Sequence, residues 1–227
     1  MCYNSKVMKR LEFFILAYAA LSPALSAQTP PQDVIARLER NLASLQSFQA
    51  DFEQTSYAIS VATPFREKGR VHFQKPDRMR WEYTSPEPKT FVFKEGLLLS
   101  YFPEDNQLWR QKIPPEEYEN EILALLAGRA RLTEKYRVEP SPFPEAAPDA
   151  AQLKLTPKEE GETDYLLLEI DQKSWMIRRV VLFDWSGNKN EFVFSRMKIN
   201  PRMGKDLFEI KVPPDCEIID GDPLPKK

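Results

Sequence analysis

Glycine is scarce in this chain, at 7 of 227 residues, where ordinary usage gives about twice as many. No two glycines form a G-x-G, so neither a Rossmann turn nor a P-loop is available to cradle a phosphate. Cysteine occurs twice, as Cys2 and Cys216, which is too few for a disulfide framework. Histidine occurs once, as His72, so any Ser-His-Asp arrangement would have to use it. No G-x-S-x-G nucleophile elbow is present. A metal site would depend on carboxylates alone, and no suitable cluster stands out in the sequence. These absences point away from an enzyme and toward a protein with no metal and no cofactor.

Long apolar runs are also missing, except near the start. Residues 1–27 read as a secretory signal peptide. Lys6, Lys9 and Arg10 supply the positive segment, Phe13 to Leu21 a short apolar run, and "SPALSAQ" small residues for cleavage. The apolar run is shorter than the ~20 residues that span a bilayer. No cysteine stands at the cleavage site, so the expected mature chain, 28–227, is not lipidated. It reads as a single domain outside the cytoplasm. The whole chain has net charge −2, and loss of Lys6, Lys9, Arg10 and Glu12 makes it −4. It therefore lacks the basic field that nucleic-acid binders use.

The remaining sequence alternates between two periods. Thr29 and Pro30-Pro31 suit a helix start, and Ile35, Leu38, Leu42 and Leu45 then recur at spacings of three and four. Phe48, Ala50 and Phe52 alternate with polar residues, as in a half-buried strand. Short strands follow at 69–74, 78–83, 90–94, 97–102 and 108–113. A second set is expected at 153–156, 165–170, 176–183, 191–198 and 207–212, after a proline-rich loop at 139–152. "PPEEYENEILALLAG" predicts a helix with Ile122, Leu125 and Leu126 on its apolar face. The pattern suggests an antiparallel meander curled into a barrel or half-barrel.

Aromatic and basic residues are mixed between Val71 and Phe93, but alternation separates them. Met79, Trp81 and Tyr83 point to one face, and Arg78, Arg80 and Glu82 to the other. A single-strand nucleic-acid platform needs rings and cations on one surface, so that reading is set aside. The inward series continues through Phe91 and Phe93, then Leu99 and Tyr101, then Trp109. A packed core and an apolar ligand cavity are both compatible with this pattern. His72 is placed outward, beside Arg70 and Gln74. Outward Arg66, Lys68, Arg70, Arg78 and Arg80 read as a solvated face or as a dock for an acidic partner.

Five segments together resemble the LolA family of periplasmic outer-membrane lipoprotein carriers. They are "LASLQSFQADFEQT" (42–55), "GRVHFQKPDRMRWEY" (69–83), "FKEGLLLSYFPEDNQLWRQ" (93–111), "LKLTPK" (153–158) and "FEIKVPPD" (208–215). The resemblance implies an unclosed, highly curved antiparallel half-barrel covered by helices, enclosing an apolar cavity. It implies a carrier that shields lipoprotein acyl chains and moves them from inner to outer membrane. The expected lining is Met79, Trp81, Tyr83, Phe91, Phe93, Leu99, Tyr101, Trp109, Ile122, Leu125 and Leu126. A basic residue that tethers the lid, usually Arg in the family, falls on Lys75. The implied partners are acylated lipoproteins, an inner-membrane ABC-type releasing complex and an outer-membrane acceptor similar to LolB, with the carrier a monomer. Where the family has P-P-x-G, this chain has Cys216 in place of the glycine, read as a small buried residue. The alternatives are the same fold binding another lipid or sensing mislocalised lipoproteins as a regulator, and an esterase using His72.

Overall fold

A computed structural model describes residues 30–114, 131–141, 147 and 149–221. The expected signal peptide and the helix bearing Ile122, Leu125 and Leu126 lie outside the described residues. Helix α1 covers Pro31–Ser44 and carries Val34, Ile35, Leu38 and Leu42 on its buried stripe. Its N-cap is Pro30, with no side-chain cap, rather than Thr29. The strands are β1 (Ser47–Tyr57), β2 (Phe65–Gln74), β3 (Arg78–Ser85), β4 (Lys89–Lys94), β5 (Leu97–Phe102) and β6 (Gln107–Lys112). A short helix α2 (Leu132–Lys135) precedes β7 (Tyr136–Pro140), β8 (Ala150–Pro157), β9 (Thr163–Asp171), β10 (Ile177–Asp184), β11 (Lys189–Ile199) and β12 (Glu217–Asp220).

All twelve strands among the described residues belong to one sheet, in the order β12-β6-β5-β4-β3-β2-β1-β11-β10-β9-β8-β7. Its two ends, β12 and β7, are not bonded to each other, so the sheet is unclosed. Neighbours run antiparallel, except that β12 lies parallel to β6. The curl of the sheet can be read from its side chains. Trp81 on β3 and Phe192 on β11 are separated by two intervening strands, which on a flat sheet would put them about 14 Å apart. Their ring centroids are 5.7 Å apart. The sheet therefore bends toward this face, and α1 packs into the concavity.

Two apolar clusters result among the described residues. The larger fills the concave side and joins α1 to residues from β1, β2, β3, β4 and β7 through β11. The smaller lies on the convex side, where Val92, Leu99 and Leu108 meet Phe208. The chain after β11 crosses this convex face before β12 pairs with β6. Hence residues 207–212 are not the strand that their alternation suggested. Lys205–Phe208 is a 3₁₀ turn, and the segment beyond it is extended without sheet pairing. Its apolar residues pack on the outside of the sheet rather than beside a strand. The Arg80 guanidinium donates to the carbonyls of Leu207 and Glu209, both at 3.4 Å. The expected loop at 139–152 is shorter than predicted, because Glu139 and Pro140 end β7 and Ala150 to Gln152 begin β8.

Candidate functional site

Strand register defines the concave surface row by row. Phe73, Met79, Phe93 and Leu98 are cross-strand neighbours, as are Val71, Trp81, Phe91, Ser100 and Trp109. The structure thus brings Met79, Trp81, Tyr83, Phe91, Phe93 and Trp109 to one face. It adds rings absent from the expected lining, among them Phe48, Phe52, Phe73, Phe102, Phe192 and Phe194. A chain of edge-to-face contacts runs across the sheet from Phe52 to Phe102. Phe52 lies 4.9 Å from both Trp81 and Tyr83, Tyr83 lies 5.8 Å from Phe91, and Phe91 lies 6.0 Å from Phe102. Edge-to-face geometry is the arrangement that ring quadrupoles favour. Phe192 and Phe194 were legible as an alternation in β11, and that signal could have added them.

Leu99 and Tyr101 require correction. Phe93 pairs with Leu98, and Leu99 pairs with Val92, so Leu99 and Tyr101 stand on the convex face. They pack there with Leu108 and Phe208. The turn explains the shift: Glu95 and Gly96, with φ of 50° and 78°, form a two-residue hairpin connection that fixes this register. "LLLSYF" is apolar on both of its faces because both are covered, so alternation alone could not choose between them.

Gly69 opens room for the aromatic group. A β-carbon there would lie 2.7 Å from Phe52 Cζ and 2.1 Å from the carbonyl oxygen of Glu82. The Phe52 ring occupies the space that a side chain at 69 would need.

Helix α1 is fastened at its C-terminal end from two sides. The Lys75 ammonium donates to the carbonyls of Ala43 at 2.5 Å and Leu42 at 3.5 Å. No basic residue of the helix itself serves its last turn, so Lys75 supplies the positive charge that a helix C-terminus favours. On the other side, the Asn41 amide donates to the carbonyls of Ser174 and Trp175 at 3.1 and 2.8 Å. Arg37 lies over the Trp175 ring at 5.0 Å. The turn holding Trp175 is set by Asp171, which accepts from the Ser174 amide and hydroxyl and from Arg178. These hydrogen bonds hold the Asp171 carboxyl at about 2, below its usual range.

The convex surface has a different character. Arg66 and Lys68 pair with Glu53, Arg70 with Asp51, Arg78 with Glu95, and Arg80 with Glu82. Each of these five cations is matched by a carboxylate of the chain. An open groove of about 620 Å³ above Gly69 is lined by these same paired charges. His72 does lie on the outward face, between Gln49 and Arg80, but it is buried at 7% exposure. Its Nδ1 has no hydrogen-bond partner among the described residues. Burial first, then the Arg70 charge, pushes its pKa below the ordinary histidine value. Among the described residues, no carboxylate is hydrogen-bonded to it. Cys216 is half-buried beside the convex cluster.

Comparison with known proteins gives a consistent result. The family model for "Outer membrane lipoprotein carrier protein LolA" matches residues 43–211. An outer-membrane lipoprotein carrier protein of Coxiella burnetii is 25% identical over 193 residues, 85% of this chain and 88% of the relative. One from Chromobacterium violaceum is 26% identical over 213 residues, covering 92% and 98%. Among solved structures, an uncharacterized conserved protein from Thermus thermophilus superposes with a TM-score of 0.55 at 16% identity, covering 84% of this chain and 98% of that one. A structure of MucB gives 0.50 at 16% identity, covering 83% and 65%. Likeness at this level of identity is likeness of fold.

Proposed function

The chain belongs to the LolA family of outer membrane lipoprotein carrier proteins, and on that premise we propose that its curled aromatic face receives lipoprotein acyl chains. The protein would accept them at the inner membrane and surrender them at the outer membrane. The observation that supports this is the concave cluster itself. Beside the buried core, Tyr83, Phe91, Leu98, Ile113, Leu182 and Met197 remain only partly buried. A surface rich in rings and incompletely covered suits a flexible apolar ligand. Met79, unbranched and polarisable, sits among them and can adjust to chains of different shape.

The need for such a surface follows from transfer energetics. A triacylated cargo carries roughly 45 methylenes, and at ~0.8 kcal/mol each their exposure to water costs on the order of 35 kcal/mol. A carrier must hide most of that surface and still release it, which requires differential binding and no catalytic group. We assign the acyl-chain contacts to Met79, Trp81, Tyr83, Phe91, Phe93 and Trp109. Lys75 is assigned to holding α1 over the concavity. An inner-membrane ABC-type releasing complex and a LolB-like acceptor are the partners this role implies.

Met79→Glu tests the reading. A carboxylate at this buried position makes acyl burial unfavourable. Titration with a synthetic triacylated cysteinyl peptide should show at least a tenfold loss of affinity, with the far-UV circular dichroism unchanged. Equal affinity in a folded variant would refute the assignment. Purified protein that carries a free lipid instead of a lipoprotein would move the function to another lipid on the same fold.

A further inference from the structure

The concave face is not uniformly apolar along its length. Toward the end where α1 terminates, its rows are Phe48, Phe73, Met79 and Phe93, all buried. Toward the opposite end, the next positions on the same strands are polar. Gln54 follows Phe52 on β1, Glu67 precedes Gly69 on β2, Tyr83 follows Trp81 on β3, and Lys89 precedes Phe91 on β4. Alternation places all four on the concave side, since Gln54 pairs with Glu67 and Tyr83 with Lys89.

They form one connected group. The Tyr83 hydroxyl donates to Gln54 Oε1 at 2.7 Å, and Gln54 Nε2 donates to Asn190 Oδ1 at 3.1 Å. Lys89 Nζ meets Glu67 Oε1 at 2.5 Å and lies 4.6 Å from the centre of the Tyr83 ring. Glu67 is only 6% exposed. Burial, then the Glu67 charge, raises the Tyr83 pKa, so its hydroxyl keeps its proton. Two positions along β2 on the same face, Phe65 is 50% exposed, so the concavity reaches solvent at this end.

A buried ion pair is a costly choice where packed apolar residues would do at least as well for stability. The group also has hydrogen-bonding capacity beyond its internal bonds. An ammonium has three donors, a primary amide has two N–H, and a phenol oxygen both donates and accepts. We propose that Gln54, Glu67, Tyr83 and Lys89 form a polar station at the mouth of the acyl-binding face. It hydrogen-bonds the carbonyl or phosphate oxygens where acyl chains join their head, so that an amphiphile enters tails first. This inference rests on the acyl-chain reading above and adds to it the polarity and chemical class of the ligand. Lys89 and the Gln54 amide act as donors to the ligand oxygens. Glu67 holds Lys89 in position, and the Tyr83 hydroxyl holds Gln54.

The test compares three probes on the folded full chain. They are a synthetic triacylated cysteinyl peptide, short-chain phosphatidylglycerol, and the headless apolar dye N-phenyl-1-naphthylamine. Two variants are used: Gln54→Leu, and Glu67→Leu combined with Lys89→Met, which removes both charges and leaves neither unpaired. The readout is the ratio of affinities between each head-bearing probe and the dye, a quantity that general loosening of the fold would not move. We expect that ratio to fall about tenfold in the double variant, and less in Gln54→Leu. A fall for the cysteinyl peptide alone would assign the station to lipoprotein ester and amide carbonyls. A fall for phosphatidylglycerol alone would assign it to phosphate. Unchanged ratios for both, in variants that fold and bind the dye, would overturn the proposal and leave the acyl-chain reading intact. Wild-type protein that binds none of the three would overturn both.

Discussion

Replacing Lys75 with Met tests how α1 is held in the concavity. Met preserves most of the aliphatic stem and removes the ammonium that bonds the carbonyls of Ala43 and Leu42. Leu42 keeps a second partner, since the Leu45 amide donates to its carbonyl at 3.3 Å. The Ala43 carbonyl has no such replacement within the helix, because it belongs to the last turn. A hydrogen bond from a charged donor contributes about 1.5–3 kcal/mol, and the half-exposed position of Lys75 reduces this. The expected loss is therefore about 1–2 kcal/mol. For a domain of this size that corresponds to a fall of about 2–8 °C in Tm. Thermal unfolding followed by circular dichroism measures it. Hydrogen exchange should locate the effect, with faster exchange at the amides of α1 and little change in β3 or β4. Lys75→Arg should restore both quantities, since its guanidinium can reach the same carbonyls. If α1 must leave these contacts for ligand to enter, Lys75→Met should also bind N-phenyl-1-naphthylamine more tightly than the wild type. An unchanged Tm together with unchanged exchange in α1 would refute the assignment of Lys75.

Gly69→Ala should destabilise the fold by about 1–3 kcal/mol, as overpacking does, because its new methyl group would collide with the Phe52 ring and the Glu82 carbonyl. Urea denaturation would show this as a lower midpoint, and an unchanged midpoint would contradict the packing described. His72 has a folded pKa below its ordinary value of 6.5. Its contribution to stability is therefore complete above about pH 6.5 and is lost as the pH falls toward the lowered folded value. Urea titrations at pH 7.5 and pH 5.5 should differ more for the wild type than for His72→Gln, and equal differences would count against a buried neutral imidazole.

The legible parts of this fold are those in which one physical effect sets the pattern. Met79, Trp81 and Tyr83 alternate because one face of β3 meets the core and the other carries Arg78, Arg80 and Glu82. The same rule separated rings from cations without any knowledge of the partner strands. Legibility failed where both faces are covered. Leu97 to Phe102 carries apolar side chains on both faces, and its facing depends on the Glu95-Gly96 hairpin and on a segment more than a hundred residues away. Phe208, Ile210 and Val212 alternate like a strand because they pack across one. The edge strands β7 and β12 are short and carry few apolar residues. The second exists through pairing with β6, fixed by Arg110 gripping Asp220 at 2.9 Å through both its Nε and Nη2 atoms. The polar station escaped notice because its four residues come from four strands. Only the register reveals that they share one face.

The most direct test of the carrier role is a release experiment. A chain of residues 28–227 is added with ATP to inner-membrane vesicles or spheroplasts bearing a labelled lipoprotein, and the supernatant is examined for a soluble complex. A one-to-one complex of carrier and lipoprotein is the predicted result. Lipoprotein that stays entirely with the membrane, while the folded protein still binds an apolar dye, would contradict the account.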